Sequence, residues 1–294
     1  LLLHPDFPVK KRHIVSSTIE HKCVLSVLAF MANNGCEVFY VNPGENGVIT
    51  LENVKKAMRE DTALVSIMHV NNELGTINPI HKIGEFCYSQ EVLFHTDAAQ
   101  SYNKVPIDVD EQNIDLLSLT AHKIGGPKGI GAVYIRDLRH QKIEPVIHGA
   151  GQEFGVRGGT VAAPLIEGFK TAIECFPKHY QAFTQKQLKR YFYAELKRLG
   201  IQYCVNGNDN TLPHCTSVSF QNIDVSLFIR ANEKTLSLAQ GSACSAKEIE
   251  PSHVLSALGL TRNQADSTLR LSFTLDCTKA HVDELLFKLQ EYKQ

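Results

Sequence analysis

Lys123 closes the tetrapeptide Thr120-Ala121-His122-Lys123, which directly follows the apolar run Ile114-Asp115-Leu116-Leu117-Ser118-Leu119. A lysine just past a buried strand stands at the mouth of an α/β sheet, where such folds hold their ligands. Upstream, Val92-Leu93-Phe94-His95-Thr96 reads as a strand that runs into Asp97-Ala98-Ala99-Gln100. An acid at the end of one strand and a lysine at the end of the next is the layout that pyridoxal 5'-phosphate (PLP) chemistry needs. The amine forms a Schiff base with the cofactor, and the carboxylate keeps the pyridine nitrogen protonated so that the ring draws electrons. Singly, the lysine reads as a surface residue and the aspartate as a helix cap. The pair carries the reading.

Weaker candidates fit the same cofactor. Val70 leads into Asn71-Asn72-Glu73-Leu74-Gly75, which sets amide side chains at the sheet's ligand edge. Thr18-Ile19-Glu20-His21 places an imidazole at a helix start, where a flat ring can stack on a pyridine face. Gln100 falls about one helical turn beyond Asp97, within reach of a phenolic oxygen. Thr120 and His122 flank Lys123 closely enough to contact a phosphate. Cys244 lies in the small-residue stretch Ala239-Gln240-Gly241-Ser242-Ala243-Cys244-Ser245-Ala246, before a helix starting at Glu250-Pro251-Ser252. An exposed thiol in such a stretch can ionise near cations and act as a nucleophile.

Alternating strands and helices position these groups. His13–Ser16, Glu37–Val41, Ala63–Val70, Val92–Thr96 and Gly129–Arg136 read as strands. Glu20–Asn33 reads as a helix with apolar spacing at Val24, Leu25, Val27, Leu28, Phe30 and Met31, stopped at Gly35. Further helices are expected over Leu51–Glu60 and Pro79–Ser89. Such repeats predict an α/β fold with a mostly parallel sheet covered on both faces. After Pro177 the texture changes. Gln181–Leu199 reads as a long helix with Phe183, Leu188, Tyr191 and Leu196 facing a core, and strands follow at Thr216–Phe220 and Leu269–Phe273. The expected division is a large PLP-binding domain over 1–178 and a small α+β C-terminal domain over 179–294.

The 294 residues suffice for about two domains, with 43% hydrophobic and 21% charged content, ordinary for a globular protein. A net charge of −1 gives no reason to expect nucleic acid or an anionic membrane as partner. No apolar stretch reaches the length of a membrane span. Eight cysteines lie scattered without a Cys-x-x-Cys pair, so no metal site is expected. With no export signal, reduced thiols and a cytoplasmic location are the expectation, most of the cysteines serving as small core residues.

Asn71-Asn72-Glu73, His95-Thr96-Asp97-Ala98-Ala99-Gln100, Ala121-His122-Lys123, Arg157-Gly158-Gly159-Thr160 and Gly241-Ser242-Ala243-Cys244 occur in the order and rough spacing of a known group. The chain resembles the class V aminotransferase-fold cysteine desulfurases, in particular the NifS/IscS-like group with a long cysteine loop. The resemblance runs from about His13 to near the C-terminus. It implies the PLP-dependent transferase fold of type I and conversion of L-cysteine to L-alanine. Lys123 would then be the Schiff-base lysine and Asp97 the partner of the ring nitrogen. His21 would stack on the ring and shuttle protons. Asn72 and Gln100 would lie near the phenolic oxygen, and Thr120 and His122 would hold the phosphate. Thr160 would reach the phosphate of a neighbouring subunit, which implies a homodimer with shared active sites. Arg270 would grip the substrate carboxylate, a task suited to its planar fork. Cys244 would take the substrate sulfur as a persulfide and pass it to a sulfur-acceptor protein, a scaffold or sulfurtransferase, for iron–sulfur cluster or thio-cofactor assembly.

The sequence also departs from that group. It begins with Leu, after the position of the family's Gly-Ala-Thr-Glu-type phosphate loop, so a trimmed, partial or degenerate chain is expected. Phe154 stands where family members often have Arg, and Thr274-Leu275 replaces a commoner Gly-Arg pair. Two alternatives stay open: a selenocysteine lyase sharing the cofactor site, and a non-catalytic fragment that folds or dimerises without holding PLP.

Overall fold

The computed structural model describes residues 11–138, 143–180, 184–240 and 252–292. The chain divides into two compact units. One comprises Leu1–Val41, Leu51–His69 and Pro79–Lys178, the other Asn42–Thr50, Val70–Asn78 and His179–Gln294.

In the first unit, β1 (His13–Ser17), α1 (Lys22–Asn33), β2 (Glu37–Val41), α2 (Leu51–Ala57), β3 (Thr62–Ser66), α3 (Ile80–Ser89), β4 (Leu93–Asp97), β5 (Leu116–Thr120), β6 (Gly131–Ile135) and α4 (Ala163–Cys175) follow in order. The sheet runs β2-β1-β3-β4-β5-β6, parallel throughout except for β6, which pairs antiparallel with β5. The mostly parallel α/β sheet expected from the repeated units is therefore present. From β1 the chain crosses first to β2 on one side and then to β3 on the other. That reversal makes the C-terminal ends of β1, β3, β4 and β5 the edge where ligands of open α/β sheets lie.

Buried β-branched and aromatic residues of the strands hold this arrangement. Ile14 and Val15 of β1, Val65 of β3 and Phe94 of β4 are fully buried. The ladder continues past β3, because the Ile67 and His69 amides donate to the His95 and Asp97 carbonyls. Helix α1 differs from its expected face. Leu28 is buried beside Val24 and Met31, but Val27 and Phe30 are 60% and 57% exposed. The spacing 24, 28, 31 makes one stripe, and Val27 and Phe30 fall on the next.

In the second unit, α5 (Thr184–Arg198), β7 (Tyr203–Val205), β8 (Cys215–Phe220), α6 (Val225–Asn232), α7 (His253–Ala257), α8 (Arg262–Asp266), β9 (Thr268–Ser272) and α9 (Lys279–Gln290) form an α+β arrangement. Its antiparallel sheet runs β7-β8-β9. Leu188, Phe192 and Leu196 of α5 and Val282, Leu285, Leu286 and Leu289 of α9 share one core with Val218 of β8 and Leu269 of β9. Phe192, fully buried, was not among the expected contacts of that helix. Tyr191, which was, is only partly buried against the same core, and Phe183 lies outside the described residues.

The cysteines correct a second expectation. Cys36, Cys87 and Cys215 are buried, whereas Cys23, Cys175 and Cys204 are exposed and Cys277 is intermediate. Cys204 lies on the edge strand β7, and Cys175 ends α4, where one side of each element faces water. Among the described residues no helix is long and apolar enough to cross a membrane.

Candidate active site

Asp97 ends β4 and Thr120 ends β5, its neighbour in the parallel ladder. After β5 the chain makes a single 3-10 turn over His122–Ile124. Gly125 stops it in the left-handed region at φ 85°, a conformation glycine adopts without steric cost. The turn is pinned by Ile124, 5% exposed, and leaves the Lys123 side chain exposed. His21 lies at the handover from β1 to α1, partly exposed, as the helix N-cap. Asp97, Lys123, His21, Thr120 and His122 therefore all leave the same edge of one sheet.

Their electrostatics are those of a cofactor cradle. Asp97 is 7% exposed, and its carboxylate accepts the Ala99 amide at 2.8 Å. Burial pushes its pKa up, while that amide and the charges of His21 and Lys123 pull it down. A buried carboxylate in that position suits a protonated ring nitrogen, which would add a countercharge directly against it. Thr120 Oγ1 and His122 Nδ1 lie 2.8 Å apart. Burial, then the charges of Lys123, Lys128 and Lys104, lower the His122 pKa. Several cations acting on one strand end suit a phosphate. These residues fit PLP.

Gln100 lies three residues beyond Asp97, in the turns that follow β4. The segment after β4 is a succession of turns, with the Ser101 and Tyr102 amides both donating to Ala98 O. Gln100 is half-buried in it. Thr160 is exposed beside Gly158, which is buried because its backbone runs against residues 148–149. A Cβ there would lie 2.5 Å from the Gly149 nitrogen. Gln152 braces the same loop, its side-chain oxygen accepting the Ala150 and Gly159 amides at 3.1 Å each.

Asn72 and Arg270 belong to the second unit. Val70–Asn78 is a tight turn closed by Asn71 N to Thr76 O and by a bridge between Val70 and Ile77. Asn71 turns its side chain back, its Oδ1 accepting the Glu73 and Leu74 amides at 2.9 Å. Asn72 Oδ1 is buried with no hydrogen-bond partner among the described residues. Such an acceptor costs about 1–3 kcal/mol unless something donates to it, so it suits a ligand contact. Arg270 sits in β9 opposite Ser217 of β8, and its Nη1 reaches the Asn72 carbonyl at 3.5 Å. Cys244 lies outside the described residues.

Three neighbours went unassigned in the sequence. Glu20, fully buried, accepts the Ser17 hydroxyl at 2.6 Å and the Met68 amide at 3.0 Å. Burial pushes its pKa up to about 8. Glu73, 2% exposed, accepts the Ser252 hydroxyl at 2.5 Å. Cys23 contacts the His21 ring. An acid directly before His21, and a serine after a proline at a helix start, were the available signals.

The Aminotransferase class-V profile matches residues 2–285, and the chain belongs to that family. Within it, the similar curated proteins are cysteine desulfurases. The mitochondrial cysteine desulfurase of Candida albicans is 44% identical over 287 residues, covering 96% of this chain and 58% of its own. The cysteine desulfurase IscS of Pseudomonas aeruginosa is 42% identical, covering 96% of this chain and 70% of its own. The chain spans about three fifths of the length of the fungal relatives it matches. Among solved structures, a NifS-like protein superposes with TM-score 0.85 at 35% identity, covering 96% of this chain and 74% of its own. SspA in complex with cysteine superposes with TM-score 0.80 at 44% identity, covering 90% and 74%.

Proposed function

We propose that the chain is a PLP-dependent cysteine desulfurase acting on L-cysteine. The observation that carries this is the placement of buried Asp97 and exposed Lys123 at the ends of neighbouring parallel strands. Relatives bearing that name support it.

When bound, PLP supplies an electron sink for negative charge at the substrate Cα. Lys123 Nζ would hold the cofactor and, once released as a free amine, take the proton from Cα. Asp97 would meet the protonated ring nitrogen, and His21 would lie against the ring. Thr120 and His122 would hold the phosphate, with Thr160 reaching the phosphate in a second copy of a homodimer. Gln100 and Asn72 would contact the cofactor near its phenolic oxygen, and Asn72 with Arg270 would hold the substrate, the guanidinium gripping its carboxylate. Cys244 would attack the substrate sulfur as a thiolate, leaving alanine and a persulfide on Cys244. That sulfur would go to an acceptor protein for iron–sulfur cluster or thio-cofactor assembly. The cytoplasmic placement expected from cysteine usage stands beside relatives named mitochondrial and mitosomal, and cell fractionation decides between them.

The test is alanine production from L-cysteine by the PLP-loaded chain, with Cys244→Ser as control. Alanine should form with matching persulfide on Cys244, and the serine variant should form neither beyond background. PLP bound without any alanine formation would refute the desulfurase reading. Turnover confined to selenocysteine would favour the lyase.

A further inference from the structure

His21 caps α1 with its ring. Its backbone is extended at φ −61° and ψ 145°, and its Nδ1 accepts the Cys23 amide at 3.2 Å. An amide N–H can only donate, so this Nδ1 carries no proton. The Cys23 sulfur lies 2.9 Å from the same Nδ1. A thiolate there would face a lone pair, whereas a thiol donates to it. Partial desolvation of a sulfur whose residue is otherwise exposed, and then the charge of Asp97, push the Cys23 thiol up from its ordinary value, which keeps the S–H in place. The two contacts make one demand. In the neutral ring the proton sits on Nε2.

We propose that Cys23 is a positioning residue that fixes His21, through its amide and its thiol, as the Nε2–H tautomer. This rests on the reading of His21 as a ring-facing residue of the active site. In that form Nε2 is a hydrogen-bond donor with no lone pair to accept a proton. Nδ1 has a lone pair, but it is committed to the helix start. Protonating it would break both contacts and uncap α1, and a lost cap costs about 1 kcal/mol. His21 therefore serves as a fixed donor at Nε2, and removal of the substrate proton falls to Lys123. The proton-shuttle role expected for His21 is narrowed accordingly. Ser, Thr and Asp, which are among the preferred capping residues, would cap α1 without presenting an oriented N–H.

The test reads the ring directly. The chain with ¹⁵N-labelled histidine is observed by long-range ¹H–¹⁵N correlation at alkaline pH, with His21→Gln assigning the signal. Nε2 should show a pyrrole-type shift and Nδ1 a pyridine-type shift, with no cofactor added. Cys23→Ala keeps the amide and should keep this pattern. Cys23→Pro removes both donors at a first-turn position that tolerates proline, and the two nitrogens should shift toward each other as the tautomers mix. A pyrrole-type Nδ1 in the unaltered chain overturns the proposal, as does a Cys23→Pro ring signal unchanged from it. If Cys23→Pro does not fold, a pyrrole-type Nδ1 in Cys23→Ala, whose amide is intact, overturns the proposal in its place. The readout needs no PLP, so a failed tautomer result and a failed turnover result are told apart.

Discussion

The Glu20 carboxyl accepts the Met68 amide at 3.0 Å, joining residues 48 positions apart and bracing the turn that carries His21. Buried completely, it has a pKa of about 8. The folded chain thus holds a proton there that the unfolded chain loses near the ordinary value of 4.5. Its folded pKa is raised, so the stabilisation is complete below about pH 4.5 and fades as pH rises to about 8. The change is on the order of 5 kcal/mol. Glu20→Gln keeps the shape and removes the titration. The difference in urea-unfolding free energy between the two proteins should change steadily across that window and then level off. Parallel curves would contradict it.

Asp97→Asn keeps the side-chain volume and removes the charge aimed at the ring nitrogen. The variant should still take up PLP. Its alanine production should fall by about 10²–10³-fold, the scale of a preorganised charge acting on the transition state. An unchanged kcat would remove Asp97 from the chemistry.

Arg270→Lys replaces a planar fork with a point charge. The Arg270 fork faces the Asn72 carbonyl at 3.5 Å. Loss of one charge-assisted contact to the substrate carboxylate is worth about 1.5–3 kcal/mol. KM for L-cysteine should therefore rise about ten- to a hundredfold, with kcat affected less. A normal KM would place the carboxylate elsewhere.

Phe192, fully buried in the core of the second unit, and Phe287, 65% exposed on α9, make a matched pair. Phe192→Ala should cost about 3–5 kcal/mol in denaturant unfolding, and Phe287→Ala about 0.5 kcal/mol or less. Equal losses would show that the Phe192 ring does not anchor that core.

The strands that present Asp97 and Lys123 were legible because each is a short apolar run followed by polar residues, a pattern set by burial on both faces. The turn holding Asn72 was not. Its shape comes from Asn71 folding back on Glu73 and Leu74 and from a bridge between Val70 and Ile77, and nothing in the local apolar pattern announces either. Phe192 was legible and missed. It stands four residues from both Leu188 and Leu196 on one stripe of α5, and the adjoining Tyr191 was taken in its place. Glu20 and Cys23 were invisible as partners because their roles depend on contacts with Met68 and with the His21 ring, both made by folding.

The central claim is that the Lys123 amine carries the cofactor. Borohydride reduction of the PLP-saturated chain, followed by proteolysis and mass spectrometry, tests it most directly. A single pyridoxyl group on the peptide containing Lys123 is the predicted result, absent in Lys123→Ala. A label on another lysine, or none in protein shown to be PLP-saturated, would contradict the assignment.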